Sequence, residues 1–202
     1  MNKVILNISM SLDGFIAGTN DNPSQPLGDQ GDILQAWMFS GEEISEINSF
    51  FKLSSTDKNI FDSAAQETGA MLVGKRTYDI VGGWGGSHPL ENIPVFVLTH
   101  HTPEDPPKGA TPFIFITDGV EQAVRQAKEA AGTKNVSVGT ASVAEQCIAR
   151  GLLDELDLHI APVLLGKGIR LFDHIGKQSI KLKSTKVMEG TGVIHVKYDI
   201  LK

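Results

Sequence analysis

The sequence predicts an α/β domain built on a mostly parallel sheet, and three patterns along its 202 residues predict it. Short aliphatic and β-branched runs recur with helical or loop segments between them. Several of those runs, VFVL at 95–98 and FIFI at 113–116, are apolar at every position, as expected where helices cover both faces of a parallel sheet. The two C-terminal runs instead alternate apolar and polar residues, which marks an antiparallel hairpin.

Taken in order, strands are expected at 4–10, 70–74, 94–99, 113–117 and 135–139. The stretch 19–41 is rich in Asn, Asp, Pro, Gln and Gly and reads as a long loop of the lid kind. After it, Ile44, Ile47 and Phe51 share one helical face, and Ile60, Phe61, Ala64 and Ala65 share another before Gly69. Asp118, with Glu121 three residues on, predicts a capped helix whose Val120, Ala123, Val124, Ala127 and Ala131 face inward until Gly132. A further helix is expected from Ser142 to Arg150, stopped by Gly151. It leads into a strand with Leu156, Leu158 and Ile160 on one face and Asp157 and His159 on the other, while Glu155 reads as a catalytic candidate or, more simply, as a solvated strand start. SIKLKSTKV and VIHVKYDI, joined through Gly190, Thr191 and Gly192, close the chain as the hairpin. The sum is about eight strands in a single domain over residues 1–202, with no internal repeat.

Composition narrows the partners. With 41% hydrophobic and 21% charged residues the chain can bury a core large enough to offset its ordering entropy. A net charge of −6 and scattered basic residues give no field for a phosphodiester backbone, so nucleic acid is not expected as a partner. One cysteine, Cys147, permits neither an intrachain disulfide nor a cysteine-rich zinc site, and none of the six histidines sits in a metal-ligand or Ser-His-Asp pattern. The first residues lack the apolar core of a signal peptide, and no apolar run approaches the roughly 20 residues of a membrane span, so a cytoplasmic protein is expected.

Four segments then appear in a recognisable order. They are Ser11-Leu12-Asp13-Gly14, Val73-Gly74-Lys75-Arg76-Thr77-Tyr78, Val97-Leu98-Thr99, and Val138 through Phe172 with ARGLLDELDLHIAPVLLGKGIRLF inside it. The set resembles the dihydrofolate reductase superfamily, most closely the reductase domain of the bacterial riboflavin-biosynthesis deaminase-reductase, and it spans nearly the whole chain. That resemblance implies a dihydrofolate-reductase-like three-layer α/β fold, a small-molecule substrate, NADPH as cofactor, and a homodimer with the DLHIAPVLLG strand at a sheet edge as its interface.

The resemblance also implies a site. Gly74 ends a buried strand, and Lys75, Arg76 and Thr77 follow at a helix start whose free N–H groups and dipole suit an anion. By resemblance these residues hold the cofactor's phosphates; a basic helix start with no ligand is the alternative. Leu98, Thr99 and His100 fall where family members meet the adenosine end and its 2′-phosphate. Gly139, Thr140, Ala141, Ser142 and Val143 match the second phosphate site, with Thr140 in place of a usual glycine. Ile16 and Ala17 match the nicotinamide pocket. Asp13 and Asp62 are the candidate catalytic carboxylates; Asp57 shares the helical position considered for Asp62, and an ordinary Asp-Gly turn is the plainer reading of Asp13. Trp37, Phe39, Phe50, Phe51 and Trp84 could stack on a flat ring or belong to the core.

Two positions depart from the riboflavin reductase. Phe15 stands where a lysine is expected, and Val138 where an acidic residue is expected; both changes favour a less polar or unphosphorylated substrate. The deaminase zinc signature is absent. The activity expected is hydride transfer from NADPH to a pterin- or pyrimidine-like ring, a carbonyl or an imine. The alternatives are 5-amino-6-(5-phosphoribosylamino)uracil reduction and a catalytically silent NADPH-binding module.

Overall fold

The computed structural model describes residues 2–176 and 179–202. Strand β1 (Val4–Ser11) leads to the short β2 (Phe15–Ala17) and to a long segment holding the 3-10 turns Gly31–Phe39 and a small ladder, β3 (Glu43–Ile44) with β4 (Lys52–Leu53). Helix α1 (Ser55–Glu67) then enters β5 (Thr68–Gly74), α2 (Lys75–Ile80) and β6 (Val95–Leu98). After β7 (Phe113–Ile116) the chain alternates α3 (Val120–Ala131), β8 (Asn135–Val138), α4 (Ala141–Ala149) and β9 (Glu155–Ala161). It ends with β10 (Ile169–Arg170), which pairs with β2, and the hairpin β11 (Leu182–Gly190) and β12 (Val193–Ile200).

Eight strands make one sheet in the order β11-β12-β9-β1-β8-β5-β6-β7. The six from β9 to β7 are parallel, and the hairpin adds an antiparallel edge, as the sequence predicted. One face packs on α3 and α4 through Val4, Leu6, Leu72, Val136, Val138, Ala123, Ala127, Val143 and Cys147. The other face meets α2 through Tyr78, Val73, Val95 and Val97. It meets α1 and the first 3-10 segment largely through polar side chains, with a small apolar cluster of Trp37, Phe51, Leu53 and Val193 outside them. Among the described residues no helix is long and apolar enough to cross a membrane.

Four local expectations change. The segment around Ile44, Ile47 and Phe51 is a strand ladder with turns, not a helix, because Ser45 Oγ takes the Ile47 N–H and Asn48 Oδ1 takes the Phe50 N–H. Such side-chain bonds compete with a helical ladder. The cap of α3 is Gly119 at φ 94°, a conformation open to glycine, and Asp118 makes no cap bond. Glu155 is buried and paired with Lys3 at 2.8 Å. Strand β9 lies inside the sheet between β12 and β1, so the DLHIAPVLLG strand is not an edge; β11 and β7 are.

Candidate functional site

Parallel strands present their carboxyl ends together, and loops there form the usual crevice of such sheets. β8, β5 and β6 are neighbours, with Leu72 opposite Val138 and Gly74 opposite Leu98. This brings Gly74–Thr77, Leu98–His100 and Gly139–Val143 to one edge. The Gly74 N–H donates to Thr140 Oγ1 at 3.2 Å, and a Cβ on Gly74 would lie 3.1 Å from Ser142 Oγ, so α2 and α4 begin side by side. Neither start carries a side-chain cap, whereas α1 is capped by Ser54. First-turn N–H groups without a cap point outward, ready for an acceptor. The side chain of Val143 is core and Ser142 is exposed. Ile16, half-buried, and Ala17, buried, lie on β2 after the end of β1.

The charged residues of this edge already have partners. Lys75 Nζ binds Asp79 on the next turn at 2.5 and 2.6 Å. Arg76 Nη2 binds Asp21 at 2.5 Å, joining α2 to the long segment after β2. The Thr99 hydroxyl donates to the carbonyl of His101 at 2.9 Å and accepts that residue's N–H. His100 is exposed.

Asp13 and Asp62 lie apart and in different settings. Asp13 accepts from Ser11 Oγ at 2.6 Å and from the N–H groups of Leu165 and Gly166 at 3.1 and 2.7 Å, pinning the turn after β1 to the loop after β9. The Ser11 bond chiefly holds its carboxyl below the ordinary range. Asp62, on α1, binds Lys58 at 2.7 Å, the Ser45 hydroxyl and the Glu46 N–H. Burial opposes its ionisation, but those bonds prevail and its pKa is lowered. Phe15 is buried with the Arg170 guanidinium 4.3 Å from its ring centre, and Val138 is wholly buried, so both apolar replacements serve packing.

Sequence reasoning passed over a second constellation, on the sheet face under α1. Register aligns Asn7, Asp157 and Lys197 in one row across β1, β9 and β12, and Ser9, His159 and His195 in the next. Asp57 reaches in from α1 to His195 Nε2 at 3.0 Å. Its other oxygen takes Ser54, Ser40 and the Thr191 N–H. Burial raises its pKa, yet the bonds from Ser54, His195 and Thr191 leave it below the ordinary value. Trp37 covers both imidazoles, 4.7 and 5.0 Å away, and donates to Ser9 Oγ at 2.9 Å. The signal was present as polar residues at period two on three strands, but a period-two polar face reads as solvated until its cover is known. Of the aromatics, Trp37 and Phe51 are core, whereas Phe39 and Phe50 stay exposed. A cavity of about 380 Å³ opens between Phe50 and His88, at the amino ends of β6 and β7 and so opposite the edge that carries Gly74.

This topology, with helix starts gathered at the carboxyl edge, defines the class as a three-layer α/β domain of the dihydrofolate-reductase kind. The chain belongs to the RibD C-terminal domain family, whose model matches residues 2–196. It is 26% identical to the uncharacterized protein YyaP of Bacillus subtilis, over 97% of this chain and 94% of that one. A protein of Shewanella sp. PV-4 described as a riboflavin biosynthesis protein superposes with a TM-score of 0.72 at 20% identity, over the full length of both chains. The riboflavin biosynthesis reductase Rib7 of Saccharomyces cerevisiae gives 0.58 at 14% identity, covering 99% of this chain and 90% of that one. These structural likenesses concern the fold. Membership of the family supports an oxidoreductase of the reductase-domain type.

Proposed function

We propose that the chain is an NADPH-dependent reductase that transfers hydride to a flat heterocycle, carbonyl or imine of a small molecule. The observation that carries this reading is the juxtaposition of two uncapped helix starts at Gly74 and Thr140, with Lys75 and Arg76 beside them, in a chain of the RibD C-terminal domain family. The N–H groups of Ala141, Ser142 and Val143 suit the pyrophosphate, and the two cations add charge. Leu98, Thr99 and His100 take the adenosine end in this reading, and Ile16 and Ala17 the nicotinamide, which when bound supplies the hydride. The protein's share is orientation and exclusion of water. Asp13, with both oxygens engaged, holds the β1 turn against the loop after β9. Asp62 ties the segment before α1 to that helix.

Titration with NADPH and NADH, followed by tryptophan quenching and the rise in Tm, tests the cofactor. Saturable binding of NADPH is expected, weakened about tenfold by Lys75→Ala or Thr77→Ala. Failure of both dinucleotides to bind overturns the reading. Family membership favours one specific variant, reduction of 5-amino-6-(5-phosphoribosylamino)uracil, while the buried Phe15 and Val138 supply no charged contact for it. Turnover of that phosphate, or its absence in a reductase active on other rings, decides between them. A homodimer belongs to the same reading, through the free edge β11 with Leu182 and Val187 exposed. Light scattering at micromolar concentration should give twice the 21.7 kDa chain mass, and a monomer removes that part.

A further inference from the structure

The polar face under α1 contains an unbroken chain of contacts between two carboxylates. Asp57 Oδ1 meets His195 Nε2 at 3.0 Å, and His195 Nδ1 meets His159 Nδ1 at 2.7 Å. His159 Nε2 meets the Asn7 amide at 3.3 Å, and Asn7 meets Asp157 Oδ2 at 3.3 Å. Both imidazoles and both carboxylates are buried. Each contact needs one hydrogen, and four contacts need four.

The neutral side chains supply three. Asn7 turns its NH2 to one neighbour and its oxygen to the other, so it fills one of its two contacts in either orientation. Each neutral imidazole carries one N–H. With both carboxylates ionised, one contact is therefore left with two facing lone pairs, whichever tautomers are chosen. In a buried layer that arrangement is disfavoured. One more proton removes the deficit, and the charges around the chain decide where it sits. Asp157 does not take it on Oδ2, because the Lys197 ammonium lies 2.9 Å from that oxygen. His159 is not the site, since burial lowers its pKa to about 3, with the nearby Lys197 ammonium adding to the fall. His195 faces the Asp57 carboxylate, with the Trp37 edge from the 3-10 segment on its flank; among the described residues beyond the chain, Glu155, Glu67 and Lys197 bring charge near this layer.

We propose that the chain Asp57–His195–His159–Asn7–Asp157 is a binding site for a single proton, held as an imidazolium on His195 against Asp57. In that state His195 donates from both nitrogens, to Asp57 and to His159 Nδ1. His159 donates from Nε2 to Asn7 Oδ1, and Asn7 donates to Asp157, so every contact is filled. The bound proton thereby links α1, the end of the 3-10 segment through Ser40, and the hairpin turn through Thr191, all of which converge on Asp57. This inference does not depend on the cofactor reading.

The partition of bonds at Asp57 supplies a clean variant. Its Oδ2 receives the Ser40, Ser54 and Thr191 donors, while Oδ1 meets His195. The substitution Asp57→Asn fits that partition: the amide oxygen keeps the three donors and the NH2 gives the missing hydrogen to His195. Imidazole ¹⁵N NMR of the whole chain at pH 7.5 tests the proposal. A free histidine is mostly neutral at that pH. In the natural protein one imidazole is expected with both nitrogens protonated, coupled through space to Trp37. That signature should vanish in Asp57→Asn, and also in Asn7→Ala, where the two contacts that remain, to Asp57 and between the imidazoles, are both filled by two neutral rings. Two singly protonated imidazoles in the natural protein, or an imidazolium that survives both substitutions, overturns it. Should either variant fail to fold, the spectrum of the natural protein still decides.

Discussion

Gly190 shows how tightly the Asp57 junction is closed. A Cβ there would overlap Asp57 Oδ1 and lie 2.7 Å from His195 Nε2, so the last residue of β11 is a glycine because of close approach. Gly190→Ala must displace either the carboxylate or the hairpin turn. A loss of about 1–3 kcal/mol is expected, by the usual cost of overpacking. Urea unfolding measures it, and an unchanged midpoint would mean that the hairpin turn stands farther from α1. The same residue-scale logic separates the acidic side chains. Asp13 and Asp62 have their oxygens spread over backbone and side-chain donors that tie loops together, whereas Asp57 gives a whole oxygen to one imidazole.

At the scale of elements, the long segment between β2 and α1 is fastened at several points. Arg76 on α2 holds Asp21, Trp37 bonds Ser9 on β1, and Ser45 and Glu46 bond Asp62 on α1. The Arg76–Asp21 pair also sets a competition, because the phosphate proposed for this edge would have to share or displace that carboxylate. Asp21→Ala removes one negative charge and frees the guanidinium, so NADPH should bind a few-fold more tightly, most clearly at low salt. Calorimetric titration at two ionic strengths checks this; weaker binding would mean that the fastened segment itself forms part of the cofactor site. The pair is exposed on the arginine side, and its direct worth to folding is small.

For the molecule as a whole, two buried histidines set an acid limit. Burial pushes His88 down to about 4, and burial with neighbouring positive charge pushes His159 to about 3. In the unfolded chain both bind protons near pH 6.5, so between that value and their folded values the unfolded state holds more protons. Their contribution is complete above pH 6.5 and falls as the pH drops, by up to about 1.4 kcal/mol per unit for each histidine. Asp57, Asp62 and Asp154, all held below the ordinary carboxylate value, add a further loss below about pH 4. Urea midpoints at pH 7.5, 5.5 and 4.5 should decline in that order. A flat profile would show that these rings take up protons without unfolding.

The parallel sheet, the C-terminal hairpin, α1, α3 and α4 are legible in the sequence, since those rest on local periodicity and on glycine stops that act within a few residues. So are Gly74, Leu98 and Gly139 at strand ends, where a motif and its neighbouring strand coincide. The fold, and not the local pattern, makes 43–53 a ladder, because Ser45 is held to Asp62 on α1 and Asn48 to the Pro89 carbonyl while both also bond nearby N–H groups. It likewise decided that β9 is interior and that Asp157, His159 and His195 are buried. Alternation records which side chains share a face, but whether that face meets water or a helix depends on residues far along the chain, here Trp37 and Asp57.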